Sequence, residues 1–286
     1  MNALEVRNLC KTYGDFKLDS VSFSLPAGYI MGFVGQNGAG KTTSIRLILN
    51  MAIREGGEVK IFGLDNLEDE LAVKQELAVV FDEIFFVESW RVSDVEKAIK
   101  GFYSEWDEKL FAEYLRRFEL PPDKRVKDMS RGMKMKLMLA AALSHGAKLL
   151  ILDEPTSGLD PVARDELLDI LREYISDGER TVFFSTHITS DLDKIADFIT
   201  VIDHGRVFYT GTKDGLLEHF LIVSGAGADL TDELKKKMHG LSVTAAGFTG
   251  MIESPDRGNL PDAIEVKPPT IDEILVFISK GGRSHE

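Results

Sequence analysis

Gly35-Gln36-Asn37-Gly38-Ala39-Gly40-Lys41-Thr42 fits G-x-x-x-x-G-K-[ST] at every required position. The run before it, Tyr29-Ile30-Met31-Gly32-Phe33-Val34, reads as a buried strand, and the run from Lys41 to about Asn50 reads as an apolar helix. A glycine-rich turn between such a strand and a helix N-terminus is where a phosphate-binding loop has to sit. The glycines let the backbone curl until its N–H groups point at phosphate oxygens, and the helix terminus adds partial positive charge. Lys41 is expected to reach the β- and γ-phosphates and the Thr42 hydroxyl to ligate Mg²⁺, with Gln36, Asn37, Ala39 and Thr43 completing the cradle. The alternative is a structural turn with a chance lysine, and the matching context on both sides disfavours it.

A phosphoryl-transfer site also needs a carboxylate for the metal and a group that activates water. Leu149-Leu150-Ile151-Leu152-Asp153-Glu154 supplies both at the end of an apolar run. Asp153 is expected to contact Mg²⁺, directly or through its water, and Glu154 to act as general base.

Outward from these two stretches, residues 3–9 and 20–25 alternate apolar and polar as half-buried strands do. Glu58–Phe62, Leu77–Phe81, Lys148–Leu152, Thr181–Ser185, Phe198–Asp203 and Val207–Thr210 read as further strands, and Pro161–Ser176 and Ser190–Ile195 as helices. Strands alternating with helices imply an α/β fold with a parallel core. From about Val92 to Leu143 the spacing is helical, broken by Pro121-Pro122-Asp123, which predicts a helical insertion. Past residue 221 the glycines and Pro255-Asp256-Arg257-Gly258 interrupt any long element until Ile271–Ser279, a helix announced by Thr270 and Glu273 in capping-box spacing. The division expected is a nucleotide domain over 1–220, with its helical subdomain at about 83–145, and a small α+β accessory domain over 221–286.

The chain has 286 residues and a formal charge of −13, from 34 Lys+Arg and 47 Asp+Glu. That balance disfavours a nucleic-acid-coating surface, and no nucleic-acid partner is expected. Cys10 is the one cysteine, so no intrachain disulfide forms; it is expected to be a small buried residue on an early strand. No apolar run approaches the ~20 residues of a membrane helix, and the first residues lack the pattern of a signal peptide. A cytoplasmic chain is the expectation, with any membrane part supplied by another protein. The charge is unevenly placed: Lys124, Arg125, Lys127, Arg131, Lys134 and Lys136 stand close together against only Asp123 and Asp128.

Together these pieces resemble the ATP-binding subunit of an ABC transporter, over about residues 1–220. Met129-Ser130-Arg131-Gly132-Met133 stands where that family carries its signature, Ser157-Gly158-Leu159-Asp160 matches its D-loop, Ser185-Thr186-His187 its switch histidine, and Lys11-Thr12-Tyr13-Gly14 its adenine-stacking loop. The resemblance implies a P-loop NTPase core with an antiparallel β subdomain, ATP and Mg²⁺ as ligands, and two ATP domains paired head-to-tail. Each ATP would lie on the phosphate loop of one chain and under Ser130, Arg131, Gly132 and Met133 of the other. The second ATP domain would be another copy or a homologous chain. His187 would hold the γ-phosphate and the water, Asp160 would connect the two sites, and Tyr13 would stack on adenine.

Two motifs depart from the family pattern. Its glutamine after the strand at 77–81 is Asp82 here, followed by Glu83, and Asp82 is expected to take the metal-sensing role. Arg131 and Met133 replace Gly and Gln in the signature. Phe81, Phe85, Phe86, Trp90, Phe102, Tyr103 and Trp106 crowd the stretch around and after Asp82, as core or as a groove for a membrane subunit's helix. Detail around the motifs is similar to the bacterial bacitracin-type and phenol-soluble-modulin-type efflux group. That implies an exporter of a peptide, antibiotic or lipid, held at the inner face of the membrane by an integral permease. The alternatives are a soluble ABC-type ATPase, for example of iron–sulfur assembly, or an importer ATPase.

Overall fold

The computed structural model describes residues 1–261 and 263–282. Strand β1 (Asn2–Tyr13) pairs antiparallel with β2 (Phe16–Pro26) and, on its other edge, with β4 (Gly56–Ile61), which pairs with the short β5 (Leu64–Asp65). Between them, β3 (Ile30–Val34) and helix α1 (Lys41–Ile48) leave this antiparallel sheet for a second one. Cys10 is only half-buried on β1, because it sits where the pairing of β1 with both neighbours shifts register.

Helix α2 (Glu70–Glu76) leads to β6 (Leu77–Val80). Then come α3 (Val92–Ile99), α4 (Glu108–Arg117), α5 (Arg131–Leu143), β7 (Leu149–Asp153), α6 (Pro161–Tyr174), β8 (Thr181–Thr186), α7 (Thr189–Ile195), β9 (Phe198–Asp203) and β10 (Arg206–Thr212). The second sheet has the order β10-β9-β3-β8-β7-β6, parallel except at β10. Every residue of β3, β7 and β8 is buried, as parallel strands covered on both faces must be. Layers of helix on sheet, joined to an antiparallel sheet, form the α/β architecture expected from the sequence.

The helical stretch breaks more often than its spacing predicts. Single-turn 3₁₀ segments at Lys100–Phe102 and Val126–Asp128 separate three α-helices. The reason is local capping: the Asp107 carboxylate accepts from Lys109 N and Leu110 N at 2.8 and 2.9 Å, and the Ser130 hydroxyl accepts from Met133 N at 3.2 Å. Val92, Val95, Phe111, Phe118 and Val126 from this stretch join α5 in the main core. Of the aromatic run, Phe86, Trp90 and Trp106 pack on that core, whereas Phe85 and Phe102 are 67% and 77% exposed. Phe81, Phe85, Phe102, Tyr103 and His145 line an apolar groove of about 360 Å³.

After α8 (Lys213–His219), the chain builds a third, antiparallel sheet from β11 (Phe220–Gly225), β12 (Leu241–Thr244), β13 (Gly247–Glu253) and β14 (Glu265–Lys267), in the order β12-β13-β11-β14. Helix α9 (Asp232–Lys237) lies between β11 and β12, and α10 (Ile271–Gly282) closes the described chain. The Thr270 and Glu273 capping box forms in both directions, at 3.2 and 2.9 Å. Alternation along β11 splits its contacts: Phe220 and Ile222 face the main core, Leu221 and Val223 a separate cluster with Phe248 and Ile252. Ile271, Ile274, Phe277 and Ile278 of α10 also enter the main core.

Candidate nucleotide-binding and hydrolysis site

Three neighbouring strands end side by side. In β3, Val34 is in register with Thr186 of β8, whose Ser185 is in register with Asp153 of β7. The glycine-rich loop, Glu154 and His187 follow these strand ends directly, at the carboxyl edge where parallel sheets bind ligands. Gly35 has no room for a side chain: a Cβ there would lie 2.2 Å from Ile202 O. Gly40, at φ +112°, is the N-cap of α1, a conformation closed to L side chains.

Lys41 is buried and lies across this loop. Its Nζ donates to Gly35 O at 2.8 Å and to Gln36 O at 3.3 Å, and sits 3.2 Å from Glu154 Oε1. The other carboxylate oxygen, Glu154 Oε2, is 2.7 Å from His187 Nδ1. Glu154 has φ +50°, an unusual backbone conformation for a non-glycine residue that costs about 1 kcal/mol, and its carboxylate meets both Lys41 and His187. Ser185 supports the pair from behind: its hydroxyl donates to Asp153 Oδ1 at 2.6 Å and accepts from Glu154 N at 2.9 Å. A buried knot holds the following loop, with Asp191 accepting from Thr156 Oγ1 at 2.7 Å and from Arg164 Nε at 2.5 Å.

These groups enclose a cavity of about 500 Å³ whose walls include Phe16, Lys41, Thr42, Asp82, Glu154 and His187. Gln36, Asn37, Gly38, Gly40 and Thr43 line it as well. Asp82 accepts from the Arg131 guanidinium. Burial raises the Asp82 carboxyl above its ordinary range; Arg131 opposes the rise, while Glu154, Asp153 and Glu83 add to it. Ser130, Arg131, Gly132 and Met133 are not among the described residues lining this cavity; they start α5 beside it. Asp160 caps α6, accepting from Val162 N and Ala163 N at 3.0 Å each.

Two lining or supporting groups carried no assignment in the sequence. Phe16, at the start of β2, reaches the phosphate loop, where a Cβ on Gly40 would touch its ring at 3.0 Å. Tyr13, across the hairpin turn, is half exposed, with Lys11 Nζ 5.2 Å from its ring centroid. The turn's aromatic pair was the available signal, but nothing local says which ring faces inward. Ser185 was visible only as part of Ser-Thr-His, and its bridge between Asp153 and Glu154 needs β7 and β8 to be neighbours.

The donor set fits a divalent cation shared with a polyphosphate. Thr42 hydroxyl and the Asp153 and Asp82 carboxylates are hard oxygen donors of the kind Mg²⁺ takes in small number, the rest of its shell coming from phosphate and water. Among the described residues no group of three or more His, Cys, Asp and Glu could hold an ion by itself.

Residues 18–157 match the family model described as ABC transporter. The Nod factor export ATP-binding protein I of Rhizobium meliloti is 31% identical over 271 residues, covering 88% of this chain and 75% of that one. The chain belongs to the ABC transporter ATP-binding family. This ABC subunit is also 34% identical over 220 residues to the daunorubicin/doxorubicin resistance ATP-binding protein DrrA of Streptomyces peucetius, covering 75% of this chain and 66% of that one. Among solved structures, an ATP-binding subunit of an ABC transporter superposes with a TM-score of 0.68 at 27% identity, covering 75% of this chain and 91% of that one. The protein is therefore an ATP-hydrolysing subunit of an ABC transporter. Among the described residues no helix is long and apolar enough to cross a membrane.

Proposed function

We propose that this subunit powers export of a peptide, antibiotic or lipid through a separate integral membrane subunit, by ATP-driven pairing of two ATP domains. The observation that carries the chemistry is the meeting of Lys41, Glu154 and His187 on one cavity. The export direction rests on the relatives, one named for Nod factor export and one for daunorubicin/doxorubicin resistance. Detail around the motifs keeps the bacitracin-type and phenol-soluble-modulin-type exporters as the finer assignment.

ATP enters the cavity by its phosphates. Lys41 leaves Glu154 for the β- and γ-phosphates, which frees that carboxylate to accept a proton from the attacking water. Gly35, Gln36, Asn37, Gly38, Ala39, Gly40, Thr42 and Thr43 hold the phosphates, and Tyr13 the base. His187 stays on Glu154 and turns its other ring nitrogen to the γ-phosphate. Thr42, Asp153 and Asp82 would hold Mg²⁺, which when bound would supply neutralising charge to the phosphates. Ser130, Arg131, Gly132 and Met133 close the partner's site, and Asp160 links the two. The partner is a second copy or a homologous chain.

The groove of Phe81, Phe85 and Phe102 favours a membrane partner over a soluble ABC ATPase, because its exposed rings need a cover. The subunit is then peripheral on the inner face of the membrane. The ATP domain spans 1–220, its helical subdomain about 83–145, and 221–286 forms an accessory domain. No nucleic-acid partner is proposed for a chain of charge −13.

The test is ATP hydrolysis by the subunit alone and with the membrane protein encoded beside it, reconstituted in vesicles. Partner-stimulated hydrolysis that Lys41→Ala abolishes is the expected result. Hydrolysis indifferent to that membrane protein, with no stable complex between the two, would discard the transporter-coupled reading.

A further inference from the structure

One contact joins the cavity to the helix start that the paired arrangement turns toward the partner. Arg131, the first residue of α5, donates through Nη2 to Asp82 Oδ1 of the same chain. Asp82 lines the cavity beside Lys41 and Glu154. The same guanidinium lies over Gly158, in the loop before α6: a Cβ on that glycine would come within 3.0 Å of Arg131 Cζ, and its φ is +67°. Three segments assigned to different ends of the ATP sandwich thus converge on one cation. Asp82 has Glu154, Asp153 and Glu83 as acidic neighbours, and Arg131 is the charge set against them.

We propose that Arg131 is a positioning residue linking the two ATP sites of the sandwich. In the single chain it holds Asp82; in the closed pair it exchanges that carboxylate for the γ-phosphate on the partner's loop, releasing Asp82 toward its own site. The inference rests on the paired reading above. A guanidinium fits carboxylate and phosphate oxygens in the same forked geometry, and the triphosphate carries more charge than one carboxylate. Both side chains are nearly half exposed, at 48% and 44%, so the pair is weak enough to open. Loading one site would then change the residues around the other.

The test uses the full chain with Glu154→Gln to stop hydrolysis, in ATP with EDTA so that the metal role assigned to Asp82 does not enter, and measures the ATP concentration at which half the protein sediments as a dimer. Asp82→Ala should lower that midpoint about three- to tenfold, the amount two half-exposed pairs supply. Arg131→Gly should raise it, and Arg131→Lys, which keeps the cation, should fall between. The double variant Asp82→Ala/Arg131→Gly should match Arg131→Gly alone, because Asp82 acts through Arg131. Binding of a fluorescent ATP analogue by each single chain checks folding, and Asp82→Asn replaces Asp82→Ala if that variant fails the check. A midpoint indifferent to both Asp82 substitutions, or two effects that simply add, would overturn the link. If Glu154→Gln alone forms no dimer in ATP, the paired reading falls and the link with it.

Discussion

His187 Nδ1 lies 2.7 Å from Glu154 Oε2, and it does so across two strands that are neighbours in the sheet but 28 residues apart in the chain, β7 ending at Asp153 and β8 beginning at Thr181. The contact joins the residue assigned to water activation with the residue assigned to the γ-phosphate. Lys41 shares the same carboxylate, so Glu154 is held by two groups.

Removing the base should separate binding from chemistry. Glu154→Gln is expected to lower the turnover rate by about 10²- to 10⁴-fold while ATP still binds. His187→Ala should also cut turnover, and the double variant should lose little more than the worse single one, since the two act as a unit. Steady-state rates beside equilibrium binding of a fluorescent ATP analogue read both. Fully additive losses would show that the two side chains work independently.

The buried knot under the site should appear in stability. Asp191 is fully buried and accepts from Thr156 and Arg164. Asp191→Ala leaves both donors without their acceptor, at a cost of about 3 kcal/mol. Urea unfolding followed by far-ultraviolet circular dichroism measures it. A loss well under 1 kcal/mol would mean that solvent replaces the carboxylate.

His145 gives the fold a pH dependence. Its ring is buried, stacks on Tyr103 at a centroid distance of 3.9 Å, and has Nε2 2.8 Å from Leu77 O. Burial lowers its pKa from the ordinary 6.5, an effect the carbonyls of Leu77 and Ala141 partly oppose. The unfolded chain therefore takes up this proton before the folded chain does. Stability from this group is complete above pH 6.5 and declines as the pH falls through that value toward the lower folded pKa. His145→Gln should flatten the stability profile between neutral and mildly acid pH. An unchanged slope in urea unfolding at several pH values would assign the dependence elsewhere.

The apolar groove should fail with a single charge. Phe85→Asp puts a carboxylate among Phe81, Phe102 and Tyr103, where a partner helix would have to bury it. Co-purification with the membrane subunit is expected to drop at least tenfold, along with the partner-stimulated part of hydrolysis. Retention of the complex at wild-type level would remove the groove from the interface.

Much of the fold was legible because its signals are short in range. The phosphate loop, the buried strands on either side of the insertion and the Thr270–Glu273 capping box each involve residues within a few positions of one another, so composition and spacing suffice. The breaks in the helical stretch were less legible, because Asp107 and Ser130 act as caps only where the chain has already turned. An α+β accessory domain was expected past residue 221, but its strands were not placed, for a related reason. Its strands are short and glycine-interrupted, and β11 pairs with β13 and β14 across long intervening segments.

By itself, then, the sequence determined that a phosphate loop follows a buried strand, that Asp153 and Glu154 end another, and that the core is α/β. Tertiary structure alone decided that β3, β8 and β7 lie side by side, because strand order depends on long-range packing that local periodicity does not encode. That order brings Lys41, His187 and Glu154 within hydrogen-bonding reach. Packing of other distant segments brings Phe16 to the cavity and pairs Arg131 with Asp82, residues 49 positions apart. Each depends on which side chains meet when distant segments pack.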